Sequence, residues 1–242
     1  MINAQPRILS RQAGRLVLVD RIVALMVLVL IIPLAIAIAI AIVIDSGFPV
    51  FFLQERLGQY GRRFRMLKFR KFPSTVGRTT QPLTLADDSR FTRVGRFLAN
   101  TKLDELPQLW NVIRGDMAIV GPRPEVPEFE ACFEGPFYKV LDYRPGIFGP
   151  SQAAFCAEGA LFAPDRDPQD FYRAVLFPAK AALDLAYYPS RTVVGDIKWV
   201  LRGILAVCGS DHKIPVGLAQ NSGATAPAEA EAEAAARNNA TA

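Results

Sequence analysis

The sequence predicts an α/β fold, mostly helical with short strands, joined to one membrane-type apolar helix. Three observations predict it. An apolar run from Ile22 to Ile44 carries no charged side chain. Apolar and basic residues then alternate over Phe51–Arg70, with Gly58 and Gly61 as punctuation, which reads as short strands and turns. Two later stretches, Phe91–Asn111 and Arg191–Cys208, space their apolar residues as helices do.

A helix over Ile22–Ile44 is about 35 Å long, enough for a hydrocarbon core of about 30 Å. The run is long for a cleavable signal peptide, and no small-residue cleavage site follows it. Pro33 lies in its middle, lacks an N–H and crowds the carbonyl of Val29. The residues alone leave two topologies open. A spanning helix tolerates Pro33 as a kink, and a helix that enters one leaflet and returns uses it as the bend. The flanks bear on the choice. Arg7, Arg11, Arg15 and Arg21 precede the run, and Arg56, Arg62, Arg63, Arg65, Lys68, Arg70 and Lys71 follow it. A spanning helix tends to carry its basic residues on one side, whereas here both flanks are basic.

The chain is 51% hydrophobic with net charge +5, a pI of about 9.3 and mean hydropathy +0.19. Its three cysteines, Cys132, Cys156 and Cys208, show no CxxC spacing, which fits a reducing compartment and neither a disulfide framework nor a zinc site. The single histidine, His212, reads as a surface residue. Ser-His-Asp catalysis and His-ligated metals are therefore not expected. The organisation read from the chain is a basic lead-in over 1–19, the membrane helix over 20–44, one domain over 45–210 and an Ala/Glu-rich, disordered tail over 221–242.

Within the domain, residues 73–90 read as a polar loop or lid, and Pro107 predicts a helix boundary near Leu106. Met117–Val120 reads as a short strand ahead of the rigid turn Gly121-Pro122-Arg123-Pro124, and residues 144–170 read as irregular. On Arg191–Cys208 the apolar positions Val194, Ile197, Leu201, Ile204 and Leu205 share a face. That face suits a core or a membrane interface.

The chemistry concentrates around the adjacent carboxylates Asp104 and Glu105. On a helix such neighbours point about 100° apart, so they divide labour. One can hold a hard cation such as Mg²⁺ while the other faces substrate. A carboxylate is also the nucleophile in aspartyl-phosphate chemistry. An Asp-Glu dipeptide alone is a weak signal. Lys68, Arg70, Arg90, Arg93, Arg96, Lys102, Arg114 and Arg123 surround it in sequence with groups that match phosphate oxygens. No nucleic-acid recognition signature accompanies them, and the apolar helix speaks against such a partner. The residues by themselves define a membrane-attached domain with a cation-assisted site for an anionic substrate.

The stretch LDELPQLWNVIRGDMAIVGPRPE, Leu103–Glu125, closely resembles the core motif of the bacterial sugar transferases, the monotopic polyprenyl-phosphate phosphoglycosyl transferases. The resemblance extends through Asp20 at the start of the apolar helix, Pro33 within it, VFFLQERLGQYGRRF, MLKFRKF, DSRFTRVGRFL, YRPGIFG and ALDLAYYPSRTVVGDIKWVL, roughly residues 16–208.

This resemblance implies a small cytoplasmic catalytic domain on a re-entrant, Pro33-broken helix in the bacterial inner membrane, with interfacial amphipathic helices. It implies a UDP-sugar donor, undecaprenyl phosphate as acceptor, and Mg²⁺. Asp104 would attack the phosphate bearing the sugar and expel UMP, and the lipid phosphate would then take the phosphosugar. Glu105 would hold Mg²⁺. Lys68, Arg70, Arg90 and the turn residues Pro122, Arg123 and Pro124 would bind substrate. Sugar identity, pathway and oligomeric state are not readable from the residues. An inactive scaffold with this fold and a transferase of bare sugar are the competing expectations, separated by the product: UMP for phosphosugar transfer, UDP for sugar transfer, neither for a scaffold.

Some positions depart from the family pattern. Ala99 stands where an arginine is common, Lys71-Phe72 where Thr-Met is common, and Phe148 where Thr is usual; Phe48 is an extra-looking residue before Pro49. The departures bear on phosphate grip and on the sugar, not on the reaction class.

Overall fold

The computed structural model describes residues 11–74, 83, 88–162 and 167–207. The lead-in up to residue 10, most of the polar loop, the tail, Cys208 and His212 lie outside the described residues.

Helix α1 spans Arg11–Ser46 and contains Pro33. It starts well before the expected residue 20. It is also unbroken at Pro33, where a break was expected. A proline removes one backbone hydrogen bond, and in an apolar helix the remaining ladder carries the chain past it. Because α1 is apolar all round, sequence periodicity does not reveal its packed face. The fold does. Asp20, Ala24, Leu28, Ile31, Ala35, Ile38 and Ile42, three or four residues apart, are among its buried or half-buried positions. Leu25, Leu30, Ile36 and Ile44 are among its exposed ones.

Strands β1 (Phe51–Leu57) and β2 (Arg63–Phe69) form an antiparallel hairpin with Phe51 opposite Phe69 and Leu57 opposite Arg63. Its turn places Tyr60 and Gly61 at positive φ. Helix α2 (Arg93–Thr101) is capped by the Thr92 hydroxyl, which accepts from the Gly95 N–H at 2.9 Å. The helical stretch over Phe91–Asn111 is interrupted, as Pro107 predicts, but the first helix already ends at Lys102, whose φ of 55° terminates α2. A 3₁₀ turn over Leu103–Glu105 follows, and then α3 (Gln108–Arg114) beyond Pro107. Leu103 and Leu106 account for the break. Both pack with Ile38 and Ile42 of α1 and Leu98 of α2, a contact that a straight α2–α3 helix could not make.

Strand β3 (Ala118–Val120) forms as expected and pairs in parallel with β4 (Gly146–Phe148). The region expected to be irregular thus supplies a strand, and α4 (Pro150–Ala154) follows it. Helix α5 (Pro168–Phe171) runs through a π turn into α6 (Phe177–Tyr187), and α7 covers Val193–Val207. The main core gathers Leu57, Val126, Phe129, Phe133, Tyr172, Leu176 and Phe177. Val194, Ile197, Leu201, Ile204 and Leu205 of α7 are exposed, so that apolar face does not enter the core, and Gly203 and Ala206 make the buried side. Phe97 on α2 and Trp110 on α3 are exposed as well. Large exposed apolar faces of this kind mark a partner or a membrane.

Candidate active site

Three segments meet at the Asp-Glu pair. The 3₁₀ turn carries it and is held to α1 by Leu103 and Leu106. The end of β2 brings Lys68 and Lys71. The turn after β3 brings Arg123. Asn111 of α3 fixes β2 beside the pair: its side chain accepts from the Leu67 N–H at 3.0 Å and donates to the Arg65 carbonyl at 2.8 Å.

Glu105 Oε1 accepts from Lys68 Nζ and from Arg123 Nη2, each at 3.1 Å. Burial opposes the charge on Glu105, but Lys68 and Arg123 outweigh it and hold the carboxyl well below its ordinary range. Burial brings the Lys68 ammonium down to about 8, against the pull of Glu105. Glu105 raises Arg123.

Asp104 is buried more deeply, with its side chain 1% exposed. Lys71 Nζ stands 3.0 Å from Asp104 Oδ2, but the approach lacks hydrogen-bond alignment, and neither buried carboxylate oxygen has a donor among the described residues. A buried, unsatisfied carboxylate is costly and calls for an explanation. Here it lies in a cluster of three cations.

The turn Gly121–Pro124 is clamped. The Pro122 carbonyl accepts from the Gly146 N–H at 2.9 Å, and the Pro124 carbonyl accepts from Arg56 Nη1 at 3.0 Å. A Cβ on Gly121 would collide with the Arg144 carbonyl, so β3 and β4 approach closely only because that residue is glycine. Pro122 and Pro124 therefore set the course of the loop that presents Arg123. Behind Arg123, Lys180 Nζ bonds Glu158 Oε2 at 2.7 Å and the Tyr172 hydroxyl at 3.0 Å, and lies 3.7 Å from Glu125 Oε1.

Of the residues singled out in the sequence, Asp104, Glu105, Lys68 and Arg123 come together. Arg70 and Arg90 do not join them. Arg70 Nη2 turns to the end of α1 and donates to the carbonyls of Ser46 and Gly47 and to the Ser46 hydroxyl. Arg90 forms a two-pronged pair with Asp88, and its guanidinium lies 4.8 Å from the Phe72 ring centre. Arg56, Lys180 and Glu158 are supports that sequence reading missed, since they lie far from the motif in the chain and look like ordinary surface charge. Lys71 was visible in sequence as a basic flank of the apolar run and as a departure from a pattern, not as a neighbour of Asp104.

Among the described residues, no group of three or more His, Cys, Asp or Glu side chains forms a metal cage. Asp104 and Glu105 supply at most two carboxylates, which fits a Mg²⁺ ion that keeps waters and is shared with substrate phosphates.

The profile of the family described as "Bacterial sugar transferase" matches residues 12–210. A UDP-glucose:undecaprenyl-phosphate glucose-1-phosphate transferase of Xanthomonas campestris pv. campestris is 43% identical over 144 residues, 56% of this chain and 29% of that protein. A UDP-N-acetylgalactosamine-undecaprenyl-phosphate N-acetylgalactosaminephosphotransferase of Aeromonas hydrophila is 42% identical over 112 residues, 45% of this chain and 26% of that protein. These matches span only about a quarter of the relatives' length. The exopolysaccharide production protein ExoY of Sinorhizobium fredii is 29% identical over 204 residues, 78% of this chain and 83% of that protein. On the extent of the family match, this chain belongs to the bacterial sugar transferase family.

Proposed function

We propose that the protein transfers a sugar-1-phosphate from a UDP-sugar to undecaprenyl phosphate, the first membrane step in building a bacterial polysaccharide or glycoconjugate. The observation that carries this reading is the deeply buried Asp104 carboxylate, without a hydrogen-bond donor among the described residues, set beside the Glu105–Lys68–Arg123 cluster. The names of the relatives point the same way.

In this reading an Asp104 oxygen attacks the phosphorus that bears the sugar. The bond from that phosphorus to the bridging oxygen breaks, and UMP leaves with its electron pair. A phosphosugar–aspartyl intermediate remains. An oxygen of the polyprenyl phosphate then attacks the same phosphorus, the aspartyl–phosphate bond breaks, and the carboxylate is restored. Lys68 and Arg123 offset phosphate charge, which otherwise repels a carboxylate nucleophile. No proton needs to move for a carboxylate to attack, so a site with no histidine among the described residues suits this chemistry.

Glu105 is the residue to hold Mg²⁺. Both of its cationic partners sit on Oε1, and the donor's phosphates would supply further oxygens. When bound, the ion neutralises phosphate charge.

The reading places the domain on the cytoplasmic side of the inner membrane, with α1 re-entrant and Pro33 as its weak point. Supporting this, both ends of the apolar stretch of α1 bond to the same domain. Arg21 donates to the Arg114 carbonyl, and the Ser46 and Gly47 carbonyls accept from Arg70. In a straight helix Arg21 and Ser46 are about 37 Å apart, more than a hydrocarbon core is thick. A domain tied to both ends cannot lie wholly on one side of a bilayer that such a helix crosses. The exposed apolar faces of α1 and α7, with Phe97 and Trp110, suit contact with lipid.

The test is UMP release by purified protein given undecaprenyl phosphate, Mg²⁺ and a panel of UDP-sugars. UMP from one donor, lost on chelation and in Asp104→Asn, is expected. UDP release instead contradicts phosphosugar transfer.

A further inference from the structure

Lys71 has no role in the mechanism above, yet of the three cations at the site it is the one against Asp104. Lys68 and Arg123 are both committed to Glu105 Oε1. Lys71 Nζ lies 3.0 Å from Asp104 Oδ2 without hydrogen-bond alignment, and its side chain is 19% exposed against 1% for Asp104. The lysine is thus the accessible half of a loosely made pair, and the carboxylate the enclosed half.

Its backbone is clamped while its ammonium is not. The Lys71 carbonyl accepts from the Thr92 N–H at 3.1 Å. Gly95 of α2 packs against that carbonyl with no room for a side chain. The ammonium is 5.8 Å from the Phe91 ring centre, a shallow cation–π seat, and Phe72 packs on Phe91 at 5.0 Å between ring centres. A lysine held at its root and free at its tip can move its charge by a few ångströms through rotamer changes alone.

A phosphate that approaches Asp104 brings negative charge up to a buried negative group. Lys68 and Arg123 can answer it only by sharing their bonds to Glu105. We propose that Lys71 is a further donor-binding residue: its ammonium leaves Asp104 for the phosphate that bears the sugar, gripping the donor and freeing the nucleophile together. This inference rests on the transferase reading. It gives Lys71, a cation placed directly at the nucleophile, a function.

The test uses the full chain in detergent, with UDP and Mg²⁺ as the probe and calorimetric binding as the readout. In an Asp104→Asn background, which blocks turnover, adding Lys71→Met is expected to weaken UDP binding about tenfold, while Lys71→Arg retains most of it. Asp104→Asn alone is expected to bind UDP more tightly than the unaltered chain, because the lysine no longer has to leave a carboxylate. Loss of the carboxylate's repulsion alone would give the same gain in a Lys71→Met chain, so the gain is expected to shrink when Lys71 is absent. Equal affinity with and without Lys71, or a loss shared by Lys71→Arg, overturns the inference and leaves the transferase reading intact. UDP binding to none of these proteins overturns both. Should Lys71→Met not fold, acetylation footprinting of the Asp104→Asn chain decides: UDP is expected to protect Lys71, and unchanged labelling overturns the inference.

Discussion

Lys68 Nζ and Arg123 Nη2, from segments more than fifty residues apart, end on the same carboxylate oxygen, Glu105 Oε1, each at 3.1 Å. The 3₁₀ turn that supplies Glu105 is packed against α1. One oxygen therefore ties together the strand, the Pro-Arg-Pro turn and α1. Glu105→Gln leaves the buried Lys68 and the half-buried Arg123 sharing a neutral amide. It is expected to destabilise the protein by about 3 kcal/mol and to reduce UMP release at least a hundredfold. Thermal unfolding in detergent and the UMP assay check the two parts separately, and unchanged unfolding would contradict the first.

Lys180 supports Arg123 from behind by holding Glu158 and Glu125. Lys180→Met leaves both carboxylates without their cation and is expected to cost about 3 kcal/mol. Adding Glu158→Gln should recover part of that loss, because the second change removes an unpaired charge. Strictly additive losses in unfolding free energy would mean that the two side chains do not interact.

Gly121 lets β3 approach β4 where a Cβ would meet the Arg144 carbonyl. Gly121→Ala is expected to push the strands apart, lower the unfolding temperature, and raise the KM for donor through Arg123. Wild-type kinetics in Gly121→Ala would show that the turn does not position Arg123.

Asp184 supplies a pH signature of the fold. It sits buried on α6, where its carboxylate accepts from the Ser151 hydroxyl at 3.0 Å. Burial pushes its carboxyl up to about 7, against the hydrogen bonds from Ser151. Its folded-state value is thus raised above the ordinary carboxylate value. Its stabilising contribution is complete below about pH 4 and is lost as pH rises to about 7, by a few kcal/mol. Unfolding temperature should therefore fall over that window. In Asp184→Asn the slope should flatten and stability at pH 8 should rise, and an identical slope in both proteins would contradict the assignment.

Both ends of the apolar stretch of α1 are tied to one domain, by Arg21 and by Arg70. Single cysteines at Gln12 and Tyr60, in a chain otherwise free of cysteine, are expected to label only from the cytoplasmic side, and Pro33→Ala is expected to shift the chain toward spanning. Labelling of the two positions from opposite sides in the otherwise unaltered chain would rule out re-entry.

Local chemistry was legible in the sequence. The Phe51–Arg70 hairpin, the strand before Gly121 and the α7 helix follow from alternation, turn residues and helical spacing. Asp104, Glu105, Lys68 and Arg123 were found because a motif fixes them in order. What stayed hidden depends on tertiary contacts. Nothing local says that α2 ends at Lys102, because the break is set by Leu103 and Leu106 reaching α1. Arg70 and Arg90 resemble phosphate ligands in sequence, and only the fold shows that Ser46, Gly47 and Asp88 claim them. The packed stripe of α1 is invisible in a helix apolar on every side. Lys71 stood out as a residue out of pattern, and its place beside Asp104 required the end of β2 to be set against the 3₁₀ turn.

The most direct test of the central claim is the intact mass of the protein after incubation with Mg²⁺ and its UDP-sugar, without lipid acceptor. The account predicts that the chain gains one phosphosugar, mapped by peptide fragmentation to Asp104, cleared when undecaprenyl phosphate is added and absent in Asp104→Asn. An adduct that persists in Asp104→Asn, or UMP release with no adduct on the unaltered chain, would contradict it.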